Sequence, residues 1–317
     1  MKKVSIIIPV REINDYIREA MNYYEKLDYD NFEILIFSDH VSAEQFPHTK
    51  VIASGEVGPA DKRDMALRYA EGEIFAFIDD DAYPRADWLK SAVKFFDNPE
   101  VGAVGGPAVT ALNDDIWQQA SGKVYESFLC SGQYTYRYLP KAEREVEDLP
   151  SVNLIVRRDV FEAVGGYDSN YYPGEDTKLC LDIVEKANKK IIYSPDILVY
   201  HHRRKMFRQH LKQATNYAKH RGYFAKALPK TSCKLAYFIP SLFTVGLVTG
   251  PILSCFMPIL WYCYFVVIMI YLFLLVVSIK KPRSVLVWCL AFCGIIATHI
   301  GYGVCFIKGL SSKELLR

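Results

Sequence analysis

None of the eight cysteines in this 317-residue chain pairs as C-x-x-C, so a zinc knuckle and a dithiol redox motif are excluded. Cys233, Cys255, Cys263, Cys289, Cys293 and Cys305 lie in or beside apolar sequence, and Cys130 and Cys180 stand alone. That is how cysteine is used as a small apolar residue in a reducing compartment. Internal repeats and low-complexity tracts are also missing. Acidic residues are absent from 203–232, and all charge is absent from 235–279. The near-neutral total of +2 therefore hides an asymmetry. Residues 1–202 sum to −13, residues 203–232 to +9 and residues 233–317 to +6. A uniform soluble globule, a disordered chain and a basic nucleic-acid-coating protein are excluded. What remains is an acidic folded domain (1–202), a basic collar (203–232) and a very apolar end (233–317).

A bilayer-spanning helix needs ~20 apolar residues. The uncharged run 235–279 suits two spans, about 235–256 and 258–279, with a break near Gly250-Pro251 or Pro258. A second run suits a third, about 285–307. Met1-Lys2-Lys3 leads into a short apolar stretch that stops at Arg11-Glu12, unlike a secretory leader, so the acidic domain is expected in the cytosol and the chain in a membrane. Lys280-Lys281-Pro282-Arg283 should then also be cytosolic. Three spans would place Lys308, Lys313 and Arg317 on the far side, against that same tendency, unless one early segment is re-entrant.

The acidic domain alternates short β-branched runs with helical patterns. Strands are expected at 4–10, 32–37, 50–53, 73–78, 101–104 and 153–156. Helices are expected at 13–26, 59–70, 158–164 and 175–187, and a polar mobile loop at 130–150. This alternation predicts an α/β fold with a mostly parallel sheet, whose ligands sit beyond the strands' carboxyl ends. Three strands end there in polar residues: Arg11-Glu12, Ser38-Asp39 and Asp79-Asp80-Asp81. Adjacent carboxylates repel unless neutralised, and oxygen ligands suit Mg²⁺ or Mn²⁺. Asp79 and Asp81, two apart in an extended segment, point the same way.

Read in order, the motifs are Ile6-Ile7-Ile8-Pro9-Val10-Arg11-Glu12, Glu33 to Asp39, Gly58-Pro59-Ala60-Asp61-Lys62-Arg63-Asp64 and Phe75 to Ala82. Asn153 to Arg158, Phe161 to Asp168, Gly174-Glu175-Asp176-Thr177 and Val199-Tyr200-His201-His202-Arg203 follow. This series resembles the family-2 glycosyltransferases of the GT-A fold over about residues 4–225. The resemblance implies a Rossmann-like catalytic domain and a nucleotide-sugar donor. Pro9, Val10, Arg11 and Glu12 would line the nucleotide pocket, and Asp39 would bond the base. Lys62 and Arg63 would face the nucleotide or its phosphates. Asp79 and Asp80 would meet the uridine-like part, and Asp79, Asp81 and His201 (with His202 as fallback) would hold Mg²⁺ or Mn²⁺. Asp176 would be the general base and Glu175 would help place the acceptor, while Asn153 and Gly105-Gly106 would shape the sugar and acceptor pocket. One base suffices for a single, inverting displacement.

Two positions depart from the family's pattern. Arg11-Glu12 replaces the frequent Tyr-Asn-Glu, and Ser38-Asp39-His40-Val41 replaces Asp-Asp-Gly-Ser, which leaves the donor open. The Gln-x-x-Arg-Trp of processive synthases is reduced to Gln213 without Arg-Trp, which disfavours polymer extrusion. In the collar, Phe207, Leu211, Ala214 and Ala218 recur at helical spacing. A helix in the headgroup layer, with anionic lipid as its partner, is the expectation; nucleic acid is not. The reading is a metal-dependent, membrane-anchored hexosyltransferase. It would move sugar from a nucleotide sugar, a UDP-sugar first, to a lipid-linked or membrane-borne acceptor on the cytosolic side, and it leaves room for an oligomer. The rivals are a polyprenyl-phosphate glycosyltransferase and a catalytically silent scaffold of the same fold.

Overall fold

The computed structural model describes residues 1–315. Two compact units form, one from residues 1–111 and 136–202, the other from 112–135 and the chain from 203 onward. The chain begins β1 (Val4–Pro9), α1 (Asp15–Tyr24), β2 (Phe32–Ser38), β3 (Thr49–Ala53), α2 (Pro59–Asp64), α3 (Ala66–Tyr69), β4 (Ile74–Phe77), β5 (Ala82–Pro84) and α4 (Trp88–Val93). Next come β6 (Val101–Gly105), β7 (Ala108–Thr110), α5 (Ile116–Glu126), α6 (Phe128–Ser131), β8 (Arg144–Val146), β9 (Leu154–Arg157), α7 (Arg158–Val164) and α8 (Glu175–Glu185). It ends with β10 (Lys190–Tyr193), β11 (Val199–His201), α9 (Arg208–Ala227), α10 (Pro229–Ser232), α11 (Leu235–Phe256), α12 (Ile259–Ser278) and α13 (Val285–Ser311).

In the first unit the strands are ordered β3-β2-β1-β4-β9-β6-β10-β8. Neighbours are parallel from β3 through β4, and β6 is parallel to β10, while β9 and β8 run against their neighbours. Every residue of β1 and β4 is buried, which is why their sequences are unbroken apolar runs rather than alternating ones. Pro9 pairs with Phe37, and Ile7 with Phe77. The carboxyl ends of β1, β2 and β4 are thereby level, and the residues that leave them meet above the sheet. A second sheet, β5-β11-β7, sets His201 opposite Ala82.

The predicted 59–70 helix divides at Met65 into α2 and α3. The 130–150 segment is not simply a loop: β8 forms within it and pairs with β10. Gly105 and Gly106 allow close backbone approach. A Cβ there would lie 2.3 Å from the Asn153 carbonyl oxygen and 1.9 Å from that of Ile197, respectively.

In the second unit, residues 112–135, expected in the acidic domain, join the helices. Ala120 and Val124 of α5 pack with Met206, Leu275, Val287, Ala291 and Ile295. The break between the first two apolar helices falls at Met257-Pro258. Helices α11, α12 and α13 are 22, 20 and 27 residues long, and each is long and apolar enough to cross a bilayer. The collar helix differs from expectation. Ala214 and Ala218 are buried, but the stripe continues through His210, Arg221, Gly222 and Ala225, against α13. The reason is close packing of small residues: a Cβ on Gly222 would meet the Phe306 carbonyl oxygen at 2.2 Å, and one on Gly309 that of Lys219 at 1.9 Å. All eight cysteines are free.

Candidate active site

The site begins at the level strand ends of the first unit. After β1, Val10 is buried while Arg11 and Glu12 are exposed. Lys62, on α2, is 2% exposed and reaches between two strand ends, donating to the Val10 carbonyl and pairing with the Asp39 carboxylate. Lys62 therefore ties the ends of β1 and β2 together. Asp39, also tied through its backbone N–H to the Arg11 carbonyl at 2.8 Å, is fixed in place by it.

The next residue, Arg63, is 5% exposed. Its Nη2 lies 2.8 Å from Asp79 Oδ1 and its Nη1 3.0 Å from Glu175 Oε1. The guanidinium sits 5.4 Å over the Tyr167 ring. Tyr167 is fixed by its N–H to Asp64 Oδ1 at 2.8 Å and by its hydroxyl to Ser151 at 2.9 Å. The Gly165-Gly166 turn makes this possible. Gly166 has φ +75°, and a Cβ there would strike Asp64 Oδ1 at 2.5 Å. Burial, ahead of the nearby Asp61 and Asp168 charges and against the Tyr167 N–H, pushes the Asp64 carboxyl up to about 7.

The three aspartates after β4 take three different partners. Asp79 faces Arg63. Asp80 Oδ2 accepts from Asn14 Nδ2 at 2.6 Å, while Asn14 Oδ1 caps α1 through the Ile17 N–H at 3.0 Å. Asp81, 4% exposed, lies 3.1 Å from His201 Nε2, a direct result of the β5–β11 register. The Asp81 carbonyl also accepts from the His202 N–H at 2.9 Å. His202 itself stacks on Tyr16 at 4.6 Å and pairs with Glu19 at 3.2 Å. It is turned to α1, not toward Asp81 as the fallback role required. The expected trio of metal ligands is thus split. Asp81 and His201 are together, Asp79 is engaged by Arg63, and no cluster of three potential ligands forms among the described residues.

At the start of α8, Glu175 is 6% exposed. One carboxylate oxygen bonds Arg63 and the other accepts from the Gly174 N–H at 2.8 Å. Asp176 is half-buried, with Oδ1 on the Thr177 N–H at 2.7 Å. Asn153 is 1% exposed. It accepts from Trp88 Nε1 at 2.9 Å and donates to the Ile197 carbonyl at 2.7 Å. Its amide thereby ties Trp88 to the Ile197 segment. Asn14, Tyr167 and Trp88 carry no role legible in the sequence, although Tyr167 lies in the Phe161-to-Asp168 motif and Asn14 is a capping residue before a helical pattern.

The family model described as "Glycosyl transferase family 2" matches residues 5–165, just over half of the chain. The "Pre-mycofactocin glycosyltransferase" of Mycobacterium tuberculosis is 29% identical over 227 residues, covering 68% of this chain and 46% of that protein. The chain thus spans about half the length of that curated relative. A "Dolichyl N-acetyl-alpha-D-glucosaminyl phosphate 3-beta-D-2,3-diacetamido-2,3-dideoxy-beta-D-glucuronosyltransferase" of Methanococcus voltae is 22% identical, with 98% of both chains covered. Among solved structures, "Mannosyltransferase PcManGT from Pyrobaculum calidifontis in complex with GDP-Man and Mn2+" aligns over 99% of this chain and 88% of its own, with TM-score 0.56 and 19% identity. The likeness establishes the GT-A arrangement of the fold, and with the family model it leads to one conclusion: the chain belongs to glycosyltransferase family 2.

Proposed function

We propose that this enzyme is a membrane-anchored, inverting hexosyltransferase. It takes a nucleotide-sugar donor, a UDP-sugar first among candidates, and transfers the sugar to the hydroxyl of a lipid-linked acceptor at the cytosolic face. The observation that carries the reading is the Asp81–His201 pair at the end of β4, with Asp176 at the start of α8 in the same unit. A carboxylate oxygen and an imidazole nitrogen 3.1 Å apart fit Mn²⁺ or Mg²⁺, which commonly takes one or two protein ligands and completes its shell with substrate phosphate and water. Such an ion supplies positive charge to a departing diphosphate. Two relatives whose names place sugar on dolichyl-phosphate-linked sugars support a lipid-linked acceptor, and the Mn²⁺ in the Pyrobaculum complex supports a divalent cation.

The remaining roles fall to this chain's own side chains. Asp176 accepts the proton of the acceptor hydroxyl as that oxygen attacks the anomeric carbon. Glu175, closed off by Arg63 and Gly174, holds the start of α8 and with it Asp176. Asp39, fixed by Lys62, accepts from the base, while Pro9, Val10, Arg11 and Glu12 border it. Asp80, held by Asn14, faces the ribose side. Asn153 keeps the floor rigid.

The experiment is transfer from a panel of labelled nucleotide sugars to extracted membrane lipids, with and without divalent cation, in wild type and Asp176→Asn. Product from one donor, dependent on cation and lowered about 10²–10⁴-fold in the variant, is expected. Full activity in Asp176→Asn would point to a phosphate acceptor, which needs no base. No product from any donor, with the protein folded, would point to a silent scaffold.

A further inference from the structure

Helices α9 and α13 lie side by side and run in the same direction. A Cβ on Gly294 would meet Met206 Sδ at 2.8 Å, and one on Gly301 would meet Thr215 Cγ2 at 3.1 Å. His210 Nε2 is 3.0 Å from Thr298 Oγ1, and Lys226 Nζ donates to the Ser312 carbonyl. The pairing thus extends over the whole of α9. Its 20 residues reach about 30 Å at 1.5 Å per residue, close to the thickness of a bilayer's hydrocarbon core. If α13 crossed the membrane, α9 would cross beside it and carry the exposed Arg208, Lys212, Asn216 and Lys226 into lipid, where charged side chains are rare.

The middle of α13 tells against a crossing as well. His299 Nε2 lies 3.0 Å from the Leu129 carbonyl in α6. The segment 112–135 that contains α6 also carries Asp114, Asp115 and a Lys123–Glu126 ion pair. The same His299 lies 3.0 Å from the Tyr271 hydroxyl of α12, so at this level α13 meets both the α11–α12 hairpin and a polar segment, as an interfacial helix does. Six exposed apolar residues of α13 complete the picture, ahead of the exposed Lys308 at its end. Leu286, Cys289, Cys293, Ile300, Val304 and Ile307 recur at intervals of 3, 4, 7, 4 and 3, which is one helical face. With α9 behind it, α13 presents an apolar stripe on one side and a basic, polar layer on the other, the profile of an element lying in the membrane interface. α11 and α12 differ, being far less buried than α13. Their outer halves pack on each other, with Tyr264 against Gly250 and its hydroxyl on the Leu247 carbonyl at 3.4 Å.

We infer that the bilayer is entered only by the α11–α12 hairpin, and that α13 lies along the membrane surface with its Leu286-to-Ile307 stripe in the apolar layer. Residues 280–283 and 308–313 then face the same side, which removes the charge conflict that three spans create. The inference rests on the proposal that this unit is embedded in a membrane. The test uses the unmodified protein in sealed vesicles of each orientation, a membrane-impermeant amine reagent, and peptide mapping of the exposed Lys212, Lys281 and Lys313. The expected result is that all three are modified in the same orientation. Modification of Lys281 and Lys313 in opposite orientations, with the protein retained after alkaline carbonate washing, would overturn the inference and leave membrane embedding standing. Release of the protein by carbonate would instead overturn membrane embedding itself, and the inference with it.

Discussion

Replacing Arg63 with alanine strands a charge in a place that water does not reach. Glu175 is 6% exposed, and Arg63 is its ion-pair partner at 3.0 Å. Removing one member of a buried pair costs about 3–5 kcal/mol, because the other is left uncompensated. Asp79, whose side chain is 33% exposed, loses less because water can replace the guanidinium. At ~2–4 °C per kcal/mol for a unit of this size, the melting temperature should fall by roughly 6–20 °C. The assay is thermal unfolding of detergent-purified protein, followed by intrinsic fluorescence. A second variant isolates the cause: Arg63→Ala with Glu175→Gln removes the stranded charge and should recover a large share of the loss. A fall of less than ~2 °C in Arg63→Ala would refute the strut, since it lies well below that range. So would a double variant no more stable than the single one.

Glu175→Gln should lower stability and only then activity, whereas Asp176→Asn should lower kcat with little change in melting temperature or donor KM; parallel melting and turnover curves separate the two. Asp64 binds its proton more tightly when folded, its carboxyl being raised from 3.8 to about 7. Its contribution, up to about 4 kcal/mol, is therefore full below pH ~4 and lost as pH rises through ~7. Asp64→Asn should flatten the melting temperature across that interval, and an unchanged slope would show that Asp64 is not the source. Asn153→Leu leaves Trp88 Nε1 and the Ile197 carbonyl without their partner and should cost about 1–3 kcal/mol per stranded group, measurable by denaturant midpoint. His210, buried between Ser121 and Thr298, is pushed down to about 4 by burial. The stability it contributes is present above pH ~6.5 and lost as pH falls toward ~4, and His210→Gln should remove that acid-side loss.

Sequence periodicity reached the centre of the sheet well because β1, β2 and β4 are buried on both faces. The runs at 4–10, 32–37 and 73–78 correspond to β1, β2 and β4, and the residues leaving them are the ones that converge. Side-chain direction was not legible. Lys62 and Arg63 look alike as cations beside a nucleotide pocket, yet one clamps β1 to β2 and the other joins Asp79 to Glu175. Nothing local announces a partner 112 residues away. The partners of Asn153 were hidden for the same reason, since Trp88 and Ile197 reach it only through the fold. The split of the metal trio follows from the Arg63–Asp79 pair, while the Asp81–His201 half follows from a strand register that spacing alone does not give. In the collar, helical spacing found Ala214 and Ala218, but not that Gly222 and Gly309 draw α9 onto α13.

The central claim is a cation-dependent nucleotide-sugar site built on Asp81 and His201. The most direct measurement is thermal protection of the purified protein by a panel of nucleoside diphosphates and their sugars, with Mn²⁺ or Mg²⁺ present or withheld. A ligand at 100 times its dissociation constant adds about 2.7 kcal/mol. The account predicts stabilisation by one nucleotide class, requiring the cation and lost in both Asp81→Ala and His201→Ala. Protection that is indifferent to the cation or survives both substitutions would contradict it, as would a folded protein that no nucleotide protects.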